Sequence, residues 1–333
     1  MTYTSQKWLW ITDPWITLDH SGDTTLRLAQ AADQLGIPQY WCDVRSLRLE
    51  GGQAYLDAQP CLQIGPDRTS ESFRFGPREK LRPRNFTQIH YRVDPPVHLA
   101  YLHPLQILSL GLQGVRTCEV VNPLNALFSH NEKFEAALLG NLMPPSLVSS
   151  QWDLLQSFGK SEGRTVMKPL HEAQSKGIEL LDWRTAKSAA QAQTHLLQMT
   201  EEFSRPIILQ KYLEGIAHGE VRLWFVDGQL LTQMKKLPLA GDFRVNMDQG
   251  SALVPCDLSP SVRAALPRIS RHLLKHKIRL AALDLIDGYV TDFNLTSPGL
   301  IPQIERTLGQ DLASAVVQRL VHPLQKTLRP ASI

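Results

Sequence analysis

Asp284 sits inside the apolar run "AALDLI", and Asp292 and Asn294 lie two apart on the return segment "TDFN". Residues two apart on a strand share a face, so Asp292 and Asn294 belong together. Whether Asp284 joins them depends on the turn at Asp287-Gly288. A two-residue loop pairs 284 with 291 and puts Asp292 on the opposite face. A three-residue loop over 287–289 pairs 284 with 292 and collects all three side chains, and glycine-containing loops of that length are common. We expect the three on one face, through a three-residue or bulged loop near Gly288. Two carboxylates and an amide oxygen then suit Mg²⁺, which takes hard oxygen ligands and shares its shell with substrate phosphates. Split between faces, they are solvated acids at a hairpin end.

Lysines supply the complement. Lys133 follows "SHNE" at an expected helix start, where Ser129 or Asn131 can cap, and Lys168 ends the strand "TVMK" before Pro169. A lysine at a strand end facing a cleft holds a phosphate as a point charge; taken singly, each is an ordinary surface cation. "ILQKYLEG" (208–215) reads as an apolar strand whose backbone can serve a base edge. Glu220 and Arg222 share a face of the next strand, as an ion pair or as two ligand contacts. Arg244 and Asn246 fall in a polar, glycine-containing loop, where solvation is the default. His272 and His276 have the i, i+4 spacing of metal ligands, but no acid lies between them and basic residues surround them. Cys256 has no assignable base, and Trp8, Trp10 and Trp15 read as core. Neither GxGxxG nor a Walker-type loop is present, so the common nucleotide folds are not supported.

The elements that must position these groups are legible from periodicity. "KWLWIT" (7–12), "QYWCDV", "FTQIHYR" (86–92) and "TCEVVN" (117–122) read as strands. Between them, 23–35 and "HLAYLHPLQILSLGL" have helical spacing, the second interrupted by Pro104. This β-α-β pattern predicts an open parallel sheet, with ligands at the carboxyl ends of its strands, where Asp13, Arg92 and Asp94 lie. "TVMKPL" and "GIELLDW" read as a strand pair, followed by an amphipathic helix over "TAKSAAQAQTHLLQMTEEF". Asp-Gly turns predict hairpins over 221–236 and 280–298. Between these lie a long loop, "LAGDFRVNMDQGSALVP", and a helix containing Pro267; 310–325 is a final helix.

The 333 residues suffice for two domains or three small ones. Lys plus Arg number 35 against 32 for Asp plus Glu, a net charge of +3. That excess argues against an extended nucleic-acid surface and leaves room for a local basic pocket for an anionic small molecule. The four cysteines, Cys42, Cys61, Cys118 and Cys256, have no paired spacing and read as buried small hydrophobes in a reducing compartment. With no basic n-region ahead of a long apolar run, and no long apolar window, we expect a soluble cytoplasmic protein without a membrane partner.

These residues resemble the bacterial glutathione synthetases, members of the ATP-grasp ligases. The likeness runs from about residue 10 to 325. It is carried by "DP" (13–14), "RVDPP" (92–96), "VNP" (121–123), "NEK" (131–133), "MKPL" (167–170), "QKYL" (210–213), "HGEVRLWFVDG" (218–228) and "LDLIDGYVTDFNLTSP" (283–298). "GDFRVNMDQGSA" also resembles the ribosomal-protein glutamate ligase branch. The resemblance implies an α/β fold, α+β in its C-terminal half: an N-terminal open parallel-sheet domain (1–122), a central lid (123–205), and a C-terminal antiparallel-sheet domain (206–333) carrying the metal and substrate sites. It implies ATP and Mg²⁺ or Mn²⁺ as cofactors. Lys133 and Lys168 would contact phosphates, Gln210, Lys211, Tyr212 and Leu213 would line the adenine, and Glu220 would contact the ribose. Asp284, Asp292 and Asn294 would hold the metal, and Arg222, Arg244 and Asn246 would be catalytic. Asp13, Arg92, Asp94 and Ser297 would serve the substrate. The implied reaction joins a small carboxylate to an amine through an acyl phosphate, with γ-glutamylcysteine and glycine or a related pair as substrates, in a homo-oligomer, dimer or tetramer.

Three departures bear on that reading. The family's glycine-rich lid loop is here "HEAQSKG" (171–177), with one glycine, so ATP would be covered through Ser175 and Lys176. The family usually has Glu where this chain has Asp292, shorter by one carbon. "TSPGLIPQIE" also lacks a basic residue between Pro298 and Glu305, which points away from γ-glutamylcysteine. The alternative is a nucleotide-binding homologue with weak or no ligation, acting as a sensor or partner protein.

Overall fold

The structure is a computed structural model and describes residues 5–173, 175–239, 241–245 and 250–324. The first sheet holds β1 (Trp8–Thr12), β2 (Gln39–Asp43), β3 (Arg48–Glu50), β4 (Gln53–Ile64), β5 (Phe73–Phe75), β6 (Glu79–Leu81), β7 (Gln88–Tyr91) and β8 (Glu119–Val121). Its order is β3-β4-β2-β1-β7-β8, with β5 and β6 also paired to β4. The run β2-β1-β7-β8 is parallel, as the alternating pattern predicted. Every residue of β1 is buried, which suits a parallel strand covered on both faces. Helix α1 (Thr24–Gln34) starts where Asp23 accepts the Leu26 N–H at 2.9 Å, a side-chain cap. Helix α2 (Leu99–Gly111) carries Pro104 inside it, and α3 (Leu124–Ser129) follows β8.

Four strands between 48 and 81 went unread in the sequence. In β4, Ala54, Leu56 and Ala58 are buried in alternation, but from Gln59 the pattern fades and Pro60 interrupts it. Two further corrections concern caps and cysteines. Ser129 ends α3 and bonds back to Asn125, so Asn131, not Ser129, accepts the Lys133 N–H, at 3.0 Å. Cys42 is buried, whereas Cys61, Cys118 and Cys256 are half-buried; all four are free.

The middle sheet is antiparallel. It comprises β9 (Ser146–Ser149), β10 (Arg164–Pro169), β11 (Glu179–Asp182) and β12 (Ile207–Lys211), ordered β11-β10-β12-β9, under α4 (Trp152–Glu162) and α5 (Ala186–Met199). The last sheet comprises β13 (Glu220–Val226), β14 (Gln229–Leu237), β15 (Ala252–Val254), β16 (Leu280–Ile286) and β17 (Tyr289–Asn294), ordered β15-β14-β13-β16-β17. Strand β15 lies in the segment read as loop, too short to show a period. Helices α6 (Pro260–Lys275), α7 (Ile301–Leu308) and α8 (Leu312–Leu320) complete the chain; α7 was not foreseen.

Alternation divides the first and last sheets between two shared cores. Leu9 and Ile11 join Leu223, Phe225 and Leu283 in one; Trp8 and Trp10 join Trp224, Val226 and Ala282 in the other. The middle sheet packs in a core of its own, around Leu155, Met167, Trp183 and Leu196. Among the described residues, no helix is long and apolar enough to cross a membrane.

Candidate functional site

The hairpin β16–β17 turns on two residues, Asp287 and Gly288, both at positive φ (51° and 83°), as the tight hairpin turn requires. Ile286 pairs with Tyr289 and Leu285 with Val290, but Asp284 pairs with Asp292. The register shift leaves Thr291 as a bulge, an extra residue in one strand. Of the two routes expected, a three-residue loop or a bulge, the chain takes the bulge, and this register brings Asp284 and Asp292 side by side. Asn294 lies on their face, its amide nitrogen donating to the Ala282 carbonyl at 3.0 Å and to Asp284 Oδ2 at 3.4 Å.

Cations converge on these acids. Arg222, opposite Asp284 across β13 and β16, donates from Nε to Oδ1 at 2.8 Å and from Nη2 to Oδ2 at 2.6 Å. Lys236 Nζ reaches Asp284 Oδ1 at 3.0 Å and Glu220 Oε1 at 2.5 Å. Burial alone would raise the Asp284 carboxyl; Arg222 and Lys236 overcome it and hold the group well below the usual carboxylate range. The Glu220 carboxyl is raised by burial. Lys133 Nζ lies 3.0 Å from both oxygens of Asp292. Burial opposes its charge, and Asp292 and Glu132 more than offset that, raising its pKa. Lys168 differs. Its Nζ donates to Gln210 Oε1 at 3.0 Å and to the Thr291 carbonyl at 2.8 Å, neither a carboxylate. Burial brings this ammonium down to about 8, against the pull of Asp292.

A cleft of about 150 Å³ opens between the middle and last sheets. One side is Lys168 with Gln210, Lys211, Tyr212 and Leu213; the other is Glu220, Arg222, Asp284, Asp292 and Asn294; Ser175 and Arg244 stand at its edge. Tyr212 is held by the Arg164 guanidinium, 4.5 Å over its ring, and by an edge contact to Phe243. Lys211 is exposed and 3.3 Å from Glu162, and Arg244 is paired to Asp242 at 3.0 Å. Asn246 lies outside the described residues.

A second cleft, about 760 Å³, shares Arg222, Lys236 and Asn294 with the first. It contains Asp13, Arg92 and Asp94, at the carboxyl ends of β1 and β7 as expected, and Ser297 after β17; Lys176, expected over ATP, lines this cleft and not the first, because the loop after β10 spans both. Arg92 is buried and already engaged, donating to Thr25 Oγ1 at 3.1 Å and to the Pro298 carbonyl at 2.9 Å. Asp13 accepts the Asp94 N–H at 2.9 Å.

Two residues of the site were missed. Lys236 was hidden in a pair of lysines, although alternation along β14 buries Thr232, Met234 and Lys236 and gives the signal. Glu132 stands inside "NEK"; its Oε1 accepts the N–H groups of Leu295 and Thr296, at 2.7 and 2.8 Å, and the Thr296 hydroxyl at 2.9 Å. Glu132 thereby fixes the turn after β17, and burial raises its carboxyl.

Three sheets arranged in this way, with a cation-lined cleft between two antiparallel ones, define an ATP-grasp ligase. The family model for the prokaryotic glutathione synthetase N-terminal domain matches residues 7–127, and that for its ATP-grasp domain matches 132–309. The chain belongs to the prokaryotic glutathione synthetase family and is an ATP-dependent ligase. It is 31% identical to a glutathione synthetase of Prochlorococcus marinus, covering 94% of this chain and 98% of the relative. It is 27% identical to one of a Nostoc species, covering 96% and 99%. Among solved structures it is similar to D-cycloserine synthetase DcsG, with a TM-score of 0.66 at 18% identity, covering 94% of this chain and 98% of that one. It is also similar to the ATP-grasp ligase PsnB complexed with minimal precursor, with a TM-score of 0.61 at 17% identity, covering 96% and 99%.

Proposed function

We propose that the protein joins a small carboxylic acid to an amine through an acyl phosphate, with γ-glutamylcysteine and glycine, or a related pair, as substrates. One observation carries this reading: the cleft between the middle and last sheets and the larger cleft meet at Arg222, Lys236, Val245 and Asn294. A phosphoryl group held in the first is then within reach of a carboxylate held in the second.

The donor set fits Mg²⁺ or Mn²⁺. Asp284 and Asp292 are paired across the hairpin, and Asn294 uses its amide nitrogen inside the protein, leaving its Oδ1 as the remaining acceptor. These three would hold the ion, which when bound neutralises phosphate charge. We assign Lys168 and Lys133 to the phosphates, Gln210 to Leu213 to the base, and Glu220 to the ribose. A carboxylate oxygen of the acid attacks the γ-phosphorus and ADP leaves; the amine nitrogen then attacks the acyl carbon and phosphate leaves. Arg222, poised where the clefts meet, stabilises the charge that develops on the transferring group and on the acyl oxygen, so catalysis is mainly positioning and electrostatics. The middle sheet, with Ser175 and Lys176 in its loop, is the lid.

A coupled assay of ADP release tests the reading. Release that requires both γ-glutamylcysteine and glycine is expected. Release only with another acid or amine would reassign the substrates, and ATP binding without release from any pair would favour the nucleotide-binding alternative.

A further inference from the structure

His272 of α6 and His276 at its C-terminal cap, spaced i, i+4, lack an acid in their own segment, but the fold delivers one from far away in sequence. Glu135 Oε1 lies 2.6 Å from His272 Nε2 and 2.6 Å from His130 Nδ1. These three ligand atoms lie within 4.8 Å of one another, and the three side chains are only 8%, 3% and 6% exposed in the order His130, Glu135, His272. His276, one helical turn beyond His272, brings its ring centroid to 4.7 Å from that of His130 and 4.6 Å from that of His272. Two imidazoles and a carboxylate therefore converge, and the third imidazole packs its ring against both.

We propose that His130, Glu135 and His272, with His276 as the fourth ligand, bind a zinc-class transition-metal ion. Nitrogen donors suit such an ion and not Mg²⁺, which prefers oxygen. Zinc takes four ligands at about 2.0–2.2 Å in a tetrahedron, so ligand atoms now 2.6 Å apart need only separate to about 3.4 Å to admit it. On binding, each of the two imidazoles is required in the tautomer that carries its proton on the far ring nitrogen, Nε2 of His130 and Nδ1 of His272, so that the proton now facing Glu135 is exchanged through water to that nitrogen and the freed lone pair goes to the metal.

The consequence reaches the ligase site. His130 and Glu135 bracket Glu132, which fixes the turn at Leu295 and Thr296, and Lys133, which grips Asp292. The Glu132 carbonyl also accepts the Phe293 N–H at 3.0 Å, and Asn131 donates to the Leu170 carbonyl at 3.0 Å. An ion joining 130 and 135 to α6 would fasten this segment to a helix of the last domain, so the site is a structural clamp behind the phosphate lysine.

Cobalt(II) chloride titrated into chelator-treated full-length protein, with excess MgCl₂ occupying oxygen sites, is the test. We expect one equivalent to bind with the intense visible bands of tetrahedral Co²⁺, and zinc chloride to displace it. His272→Ala and Glu135→Gln should each weaken binding by about tenfold or more, His276→Ala should shift the bands, and Asp292→Asn should leave them unchanged. Absence of stoichiometric tetrahedral binding in the unmodified protein overturns the proposal without recourse to a variant. So does binding that survives His272→Ala in a folded protein, or that is lost with Asp292→Asn.

Discussion

Lys168 is the cation of the site whose charge is least satisfied by the protein. Its partners are an amide oxygen and a backbone carbonyl, and burial brings its pKa to about 8. A phosphate would supply the missing anion, and a hydrogen bond to a charged group contributes about 1.5–3 kcal/mol. Lys168→Ala should therefore weaken ATP binding roughly tenfold or more, read by calorimetry; unchanged affinity would remove the assignment. The ammonium is the form that binds phosphate, so affinity should be full below pH 8 and decline as pH rises through it, and that decline should be absent in Lys168→Ala. Lys236 poses the opposite case, since it is committed to Glu220 and Asp284. Removing one partner of a buried charge cluster strands the others, at a cost of about 3–5 kcal/mol. Lys236→Met should lower stability by that order in denaturant unfolding, and Lys236→Arg should recover most of it. At Asp292, Asn should abolish ADP release, while Glu, longer by one carbon, should alter it without abolishing it. The acids and Lys168 were readable because their motifs sit on strands of clear period. Lys236 and Glu132 were not, because a lysine pair and an acid beside a loop look solvated until the partner strand is in place.

At the scale of elements, turn chemistry and bulges act together. Asp287-Gly288 announces a hairpin, but a loop-length argument alone cannot find Thr291, because a bulge is set by twist and by what packs beneath the strand. The missed strands at 48–81 have a related cause: β4 carries its apolar residues in alternation only over its first half. Helix α4 shows how packing overrides local preference. A Cβ on Gly159 would lie 2.1–2.6 Å from ring atoms of Trp183, whose Nε1 donates to Thr165 Oγ1 at 2.9 Å. Alanine gains about 1 kcal/mol of helix propensity over glycine, but the indole would have to move out of the core it shares with Leu155 and Met167. Gly159→Ala should therefore destabilise the protein by about 1–3 kcal/mol. A thermal melt showing stabilisation would mean that the helix can lift from Trp183 without loss.

At the scale of the molecule, the distribution of cores separates what is rigid from what can move. The first and last sheets share both large cores, so they must behave as one body. The middle sheet has a small core of its own and meets the rest through single polar contacts: Lys168 to Thr291, Asn131 to Leu170, Val97 N–H to the His171 carbonyl at 2.9 Å, and Ser175 to the Val245 carbonyl at 3.3 Å. Polar contacts of this kind break at lower free energy than a packed interface, so the unit should open and close as a piece. ATP touching both walls would favour the closed state by its extra contacts there, and only by those. Hydrogen exchange with a non-hydrolysable ATP analogue and Mg²⁺ should then show protection rising in β10, β12 and the loop over 170–178, with β1, β2 and α1 unchanged. Equal protection across all three sheets would mean that the molecule tightens as one unit, and no change at 170–178 would show that a loop with a single glycine does not cover the nucleotide.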